Sequence, residues 1–158
     1  MIRFLFLLLV VAGCTPAPKE STALKLDDIQ LTDLSGNAVD VSQFKDKTVL
    51  VNFWATWCKP CLQEMPSLAA TQSKLKDQPI VFLFASNETT EQIKRFKDKQ
   101  KFDFNYLHLG NLEALNIQAL PTTFIFNGAG ELKYSESGFR NWTSPASIEL
   151  ITDILTKP

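Results

Sequence analysis

Three cysteines and a single histidine carry most of the redox, nucleophilic and metal-binding capacity of this sequence. Two of the cysteines, Cys58 and Cys61, stand two residues apart in "NFWATWCKPCLQEMP" (52–66). Such a pair can belong to a zinc site, a haem attachment, a structural clip or a redox centre. A structural zinc site takes about four nitrogen or sulfur ligands, and His108 is the one histidine on offer, so carboxylates would have to complete the set. Covalent haem attachment uses Cys-x-x-Cys-His, and residue 62 is Leu. As a clip, so short a loop restrains the unfolded chain by less than the roughly 3 kcal/mol of a 15-residue loop. A dithiol/disulfide couple is the reading the residues favour. Soft sulfur also suits Cu(I), so a non-enzymatic copper chaperone is the rival, although only Met65 and His108 could assist it after a leader is removed. His108 has no nucleophile beside it in sequence and reads as structural or surface.

The flanking residues say how the pair is presented. "TVLVNFW" (48–54) is β-branched and apolar and predicts a buried strand. After it, Leu62, Met65, Leu68, Ala69 and Leu75 fall near helical spacing. The cysteines therefore sit where a strand ends and a helix begins. Unpaired N–H groups and the helix dipole at that point stabilise an anion, which lowers the pKa of Cys58, and only the thiolate attacks disulfides. Lys59 adds positive charge, and Pro60 occupies the first turn, where a missing N–H costs little. Pro66 should kink the helix or remove one of its bonds. Glu64 lies three residues beyond Cys61, on a neighbouring part of the same helical face if that face turns inward; otherwise it is an ordinary solvated glutamate.

Elsewhere, "DDIQLTDLSGNAVDVSQF" turns at Ser35-Gly36-Asn37 and predicts an N-terminal β-hairpin. "PIVFLFAS" (79–86) is a second buried strand, and Thr89 and Gln92 form a capping box for a helix over about 90–101. The helix carries "KRFKDKQK", the densest basic stretch, read as a solvated face with docking as the other possibility. A hairpin over 122–127 and 131–136 and a helix over 145–156 opened by Ser144-Pro145 complete the series. The 158 residues, 45% hydrophobic, make one globular domain, and a net charge of −1 gives no reason to expect a nucleic-acid partner.

Residues 1–13 stand apart. "FLFLLLVVAG" is about ten residues long, against the roughly 20 a membrane-spanning helix needs, and reads as a secretory leader. It ends in Val11-Ala12-Gly13-Cys14, which resembles a bacterial lipobox and makes Cys14 a lipidation candidate; a plain signal peptide with a stray cysteine is the alternative. Residues 14–24 then form a flexible tether and 25–158 the domain, outside the cytoplasm and anchored to a membrane.

"NFWATWCKPC" followed by "EMP" resembles the thioredoxin-like TlpA/ResA family of envelope thiol:disulfide oxidoreductases, over about residues 25–155. The resemblance implies an α/β thioredoxin-like fold, with a central mixed sheet flanked by helices, and a monomer needing neither cofactor nor metal. It makes Cys58 the attacking and Cys61 the resolving thiol. It implies that Pro121 is cis and lies against the pair, with Trp57 on the rim. Cytoplasmic thioredoxin has a buried aspartate where this chain has Asn52, and Glu64 supplies the carboxylate instead, as in ResA-type members. The implied partners are protein disulfides and a membrane electron-donor thiol protein, with cytochrome c maturation a common pathway. "LPT" (120–122), where CcmG-type members often carry "APE", leans toward the ResA/TlpA side. A thiol oxidant remains the enzymatic alternative. "ATWCKPC" lacks the Pro-x-x-x-Thr-x-x-Cys pattern of peroxiredoxins, which disfavours a peroxidase.

Overall fold

The computed structural model describes residues 23–156. The leader, Cys14 and most of the tether lie outside them. Six strands form one mixed sheet: β1 (Leu31–Thr32), β2 (Thr48–Phe53), β3 (Ile80–Ser86), β4 (Asn105–Leu109), β5 (Thr122–Phe126) and β6 (Leu132–Ser137). Their order is β1-β4-β3-β2-β5-β6. β2, β3 and β4 run parallel, while β1, β5 and β6 pair antiparallel with their neighbours. Three helices complete the fold: α1 (Lys59–Lys74), α2 (Thr90–Lys97) and α3 (Pro145–Thr156). This is a thioredoxin-like α/β fold.

Period-two alternation along the strands divides the core in two. Leu50, Phe82, Phe84, Tyr106 and Ile125 point to one face, where Met65 and Leu68 of α1, Ile93 of α2, and Ile151 and Ile154 of α3 cover them. Val49, Val51, Phe53, Leu83, Ala85, Leu107, Leu109, Phe124 and Phe126 point to the other, covered by Leu26, Ile29 and Leu115. β2 is buried along its whole length because it has helices on one side and the N-terminal segment on the other.

The expected N-terminal hairpin forms only in part. Asp33 organises the turn, its Oδ1 accepting from the amides of Ser35 and Asn37, and Gly36 takes the left-handed φ of +92°. The returning arm makes only a bridge from Thr32 to Ala38. Asp40 then caps a 3-10 turn, Val41–Phe44, that turns the chain away. β1 instead pairs with β4, Leu31 opposite Leu109. α2 ends at Lys97, short of the expected 101, because no apolar residue follows Phe96 until Phe102 to hold a further turn against the sheet. α1 runs unbroken through the exposed Pro66. No helix among the described residues is long and apolar enough to cross a membrane.

Candidate active site

Cys58 is the N-cap of α1, and the Cys61 amide donates to its Sγ at 3.3 Å. The cap atom is therefore the sulfur itself, so the helix N-terminus acts directly on it. A disulfide joins Cys58 to Cys61. Cys58 keeps 3% of its exposure and Cys61 none. Lys59 and Pro60 take the first two helical positions, both exposed, and Trp57 is 73% exposed. Trp57, Leu62 and Phe139 are the large apolar side chains left exposed among the described residues. The first two border the disulfide in sequence, and the third precedes Arg140, which reaches the carboxylate below.

Glu64 is 1% exposed, which rules out the solvated reading. α1 buries Cys61, Glu64, Met65, Leu68 and Thr71, a face whose spacing carries Glu64 inward with Cys61. Asn52 Nδ2 donates to Glu64 Oε1 at 2.7 Å and to Thr123 Oγ1 at 3.0 Å. These contacts follow from the sheet: Asn52 shares the helix-facing side of β2 with Leu50, and Thr123 is its cross-strand partner on β5. Glu64 Oε2 accepts from the Arg140 amide at 3.1 Å and from Trp142 Nε1 at 3.4 Å. Burial pushes the Glu64 carboxyl above its ordinary value, and the hydrogen bonds from Arg140, Asn52 and Trp142 pull against that shift. No cation among the described residues pairs with it; the Arg140 guanidinium is turned instead to Ser147, Tyr134 and Glu136.

The Leu120–Pro121 peptide is cis. Phe53 is in register with Thr122, which sets Pro121 beside the end of β2, where the chain turns toward the cysteines. The Pro121 carbonyl accepts from the Gly138 amide, whereas the Leu120 backbone joins no hydrogen bond among the described residues. On the other side of the loop, Glu88 accepts from the Thr56 amide and hydroxyl, each at 2.6 Å, and from Ser86 Oγ at 3.2 Å. Trp54 packs beneath against Phe96 and Tyr106.

The expected residues Trp57, Cys58, Lys59, Pro60, Cys61 and Glu64 thus share one region, with Pro121 brought to it by the sheet. His108 lies on β4 with Thr32 as its polar neighbour. Trp142, buried in the core, also donates to Glu64. Arg140, Glu88 and Thr123 went unread; their roles depend on contacts with residues 32 to 76 positions away. Among the described residues, no three His, Cys, Asp or Glu side chains gather where they could hold a metal ion.

A thioredoxin fold with a Cys-x-x-Cys disulfide capping its first long helix defines the class of thiol:disulfide oxidoreductases. The chain belongs to the AhpC/TSA family, whose model matches residues 22–135. It is 38% identical over 111 residues to the thioredoxin-like protein YneN of Bacillus subtilis (strain 168), covering 67% of this chain and 65% of that one. The thiol-disulfide oxidoreductase ResA of the same organism is 31% identical over 123 residues, 73% of this chain and 68% of that one. The chain therefore spans just under two thirds of YneN's length and just over two thirds of that ResA's. Among solved structures, a Bacteroides vulgatus protein assigned as a thiol-disulfide oxidoreductase superposes with a TM-score of 0.71 at 27% identity, covering 85% of this chain and 99% of that one.

Proposed function

We propose that the protein is a dithiol:disulfide oxidoreductase that reduces protein disulfides in the bacterial cell envelope, held at a membrane through a lipid on Cys14. The observation that carries this reading is the Cys58–Cys61 disulfide at the N-terminus of α1, with a buried carboxylate one turn further on. In the reduced protein the Cys58 thiolate attacks a substrate disulfide, forming a mixed disulfide and releasing one substrate thiolate. Cys61 then loses its proton and attacks Cys58 Sγ, which closes the protein disulfide and frees the second substrate thiol. We assign that proton to Glu64, which shares the buried face of α1 with Cys61 and whose carboxyl burial pushes above its ordinary value. Its negative form also disfavours a thiolate nearby and so opposes the helix dipole, which favours the disulfide and a reducing couple.

The exposed Trp57 and the unpaired backbone of Leu120 beside cis-Pro121 support an extended polypeptide as substrate. A membrane thiol protein re-reduces the pair, and the kinship with ResA-type proteins supports cytochrome c maturation as the pathway. The test is trapping. Cys61→Ser is expected to accumulate mixed disulfides through Cys58, and alkylation of the reduced wild type to modify Cys58 first. Preferential modification of Cys61 would reverse the two roles.

A further inference from the structure

The loop that carries Trp57 and Cys58 forms one wall of a second feature. A cleft of about 220 Å³ lies between Thr56 and α2, lined by Thr56, Gln92, Arg95, Phe96 and Lys99. Phe96 is half-buried and packs on Trp54, so the apolar lining is fixed to the core beneath the active-site loop. Arg95 and Lys99 are exposed, and neither side chain joins an ion pair or hydrogen bond among the described residues. The acidic groups nearby do not neutralise them in pairs. Glu88 is engaged by Thr56 and Ser86, and Glu91, one turn back on α2, bonds Thr90 and feels Lys94 and Arg95 only at longer range. The result is an apolar-lined concavity with two uncommitted cations at its edge.

We propose that this cleft takes an acidic side chain of the substrate polypeptide, close in sequence to the cysteine under attack. The proposal rests on the oxidoreductase reading above and names the substrate class for that site. Thr56 is two residues from Cys58, at most roughly 7 Å of extended chain, so a substrate Asp or Glu within about three positions of its cysteine reaches both cations. An apolar stem on Phe96 with a carboxylate between Arg95 and Lys99 satisfies both characters of the cleft. Placing charge recognition beside the reacting sulfur raises the rate of productive encounter with the correct disulfide. An anionic membrane surface is the competing ligand for a basic face; the concavity and its place against the redox loop favour a polypeptide.

The experiment uses the reduced full chain and three disulfides. Two are disulfide-linked peptide dimers, identical except for Glu or Lys three residues from the cysteine, and the third is the neutral hydroxyethyl disulfide. Each turnover moves two electrons and two protons from the Cys58–Cys61 dithiol to one substrate disulfide, giving two substrate thiols, so thiol release reports the rate. The wild type is expected to reduce the Glu peptide about tenfold faster than the Lys peptide at low salt, the ratio shrinking in high salt. The ratio should approach one in Arg95→Gln/Lys99→Gln and survive in Arg95→Lys. Because it is a ratio within one protein, it is independent of the amount of active enzyme. A wild-type ratio near one, or a ratio that persists in the double variant, would overturn the cleft assignment. So would loss of binding to phosphatidylglycerol vesicles in the double variant with the peptide ratio untouched, which would give the cations to a membrane. Failure of the wild type to reduce even hydroxyethyl disulfide would instead overturn the oxidoreductase reading.

Discussion

Glu64 is the residue whose environment differs most from what its type prefers. It is a carboxylate buried without a counter-ion among the described residues, held by three N–H donors from Asn52, Arg140 and Trp142. Its pKa is raised above 4.5 by burial, so between the unfolded and folded values the native state binds more protons than the unfolded chain. Stability therefore falls as pH rises across that window. Exposed carboxylates such as Asp33 and Asp40, whose pKa values are lowered by hydrogen bonds, act in the opposite sense. The contribution of Glu64 is isolated by a difference. The unfolding free energy of wild type minus that of Glu64→Gln is expected to decline as pH rises from about 4.5, then level off above the folded pKa. In Glu64→Gln the amide nitrogen must replace one of two acceptor oxygens, facing either the Asn52 donor or those of Arg140 and Trp142, a pH-independent cost that offsets the curve without tilting it. The same variant should lower the Cys58 pKa by removing a negative charge. Denaturant titrations at a series of pH values, with thiol titration beside them, check both; a pH-independent difference would remove Glu64 from the site's proton chemistry.

At the scale of elements, the active-site loop depends on a contact between β3 and the segment after β2. Glu88 follows β3 and holds Thr56 by amide and hydroxyl. Hydrogen bonds to a charged acceptor contribute about 1.5–3 kcal/mol when buried, and half-exposure reduces this. Glu88→Ala is expected to destabilise the protein by about 1–2 kcal/mol and to speed hydrogen exchange at the Thr56 amide while β3 amides stay protected. Equal loss of protection throughout would mean that Glu88 supports the whole sheet rather than the loop. The elements that were legible in the sequence are those whose own periodicity fixes them: β2, β3, the β5–β6 hairpin, α1 and α3. β4 was not. Asn105-Tyr106-Leu107-His108-Leu109 is short and carries polar residues at two of five positions, and its strand character comes from pairing with β3 and β1. The site divides in the same way. Cys58, Cys61 and Glu64 were readable from spacing along one helix, whereas Arg140, Glu88 and Thr123 join it only through the tertiary fold.

For the whole molecule, the consequence lies in where the disulfide sits. Cys58 and Cys61 are part of the larger core cluster, together with Trp54, Met65, Trp142 and the buried face of α3, rather than on a loop detached from it. Redox state and global stability are therefore coupled. The difference in unfolding free energy between oxidised and reduced protein equals the difference in the free energy of disulfide formation between folded and unfolded chains. A fold that stabilises its thiolate makes an oxidant, as the stabilised reduced form of DsbA does; one that disfavours the thiolate makes a reductant. Here the sulfur at the α1 N-cap gains from the helix dipole, and the buried carboxylate of Glu64 works against it. A reductant requires the second influence to prevail. The oxidised protein is then expected to unfold at higher denaturant and higher temperature than the reduced protein, each 1 kcal/mol moving Tm by roughly 3–6 °C in a domain of this size. The reduction potential should fall near thioredoxin's about −270 mV, with each 30 mV worth about 1.4 kcal/mol. Parallel melts of the two redox forms and equilibration against a dithiol buffer measure the two quantities independently. A reduced form that melts above the oxidised one, with a potential near about −120 mV, would make this protein an oxidant and reverse the direction of electron flow assigned to Cys58 and Cys61.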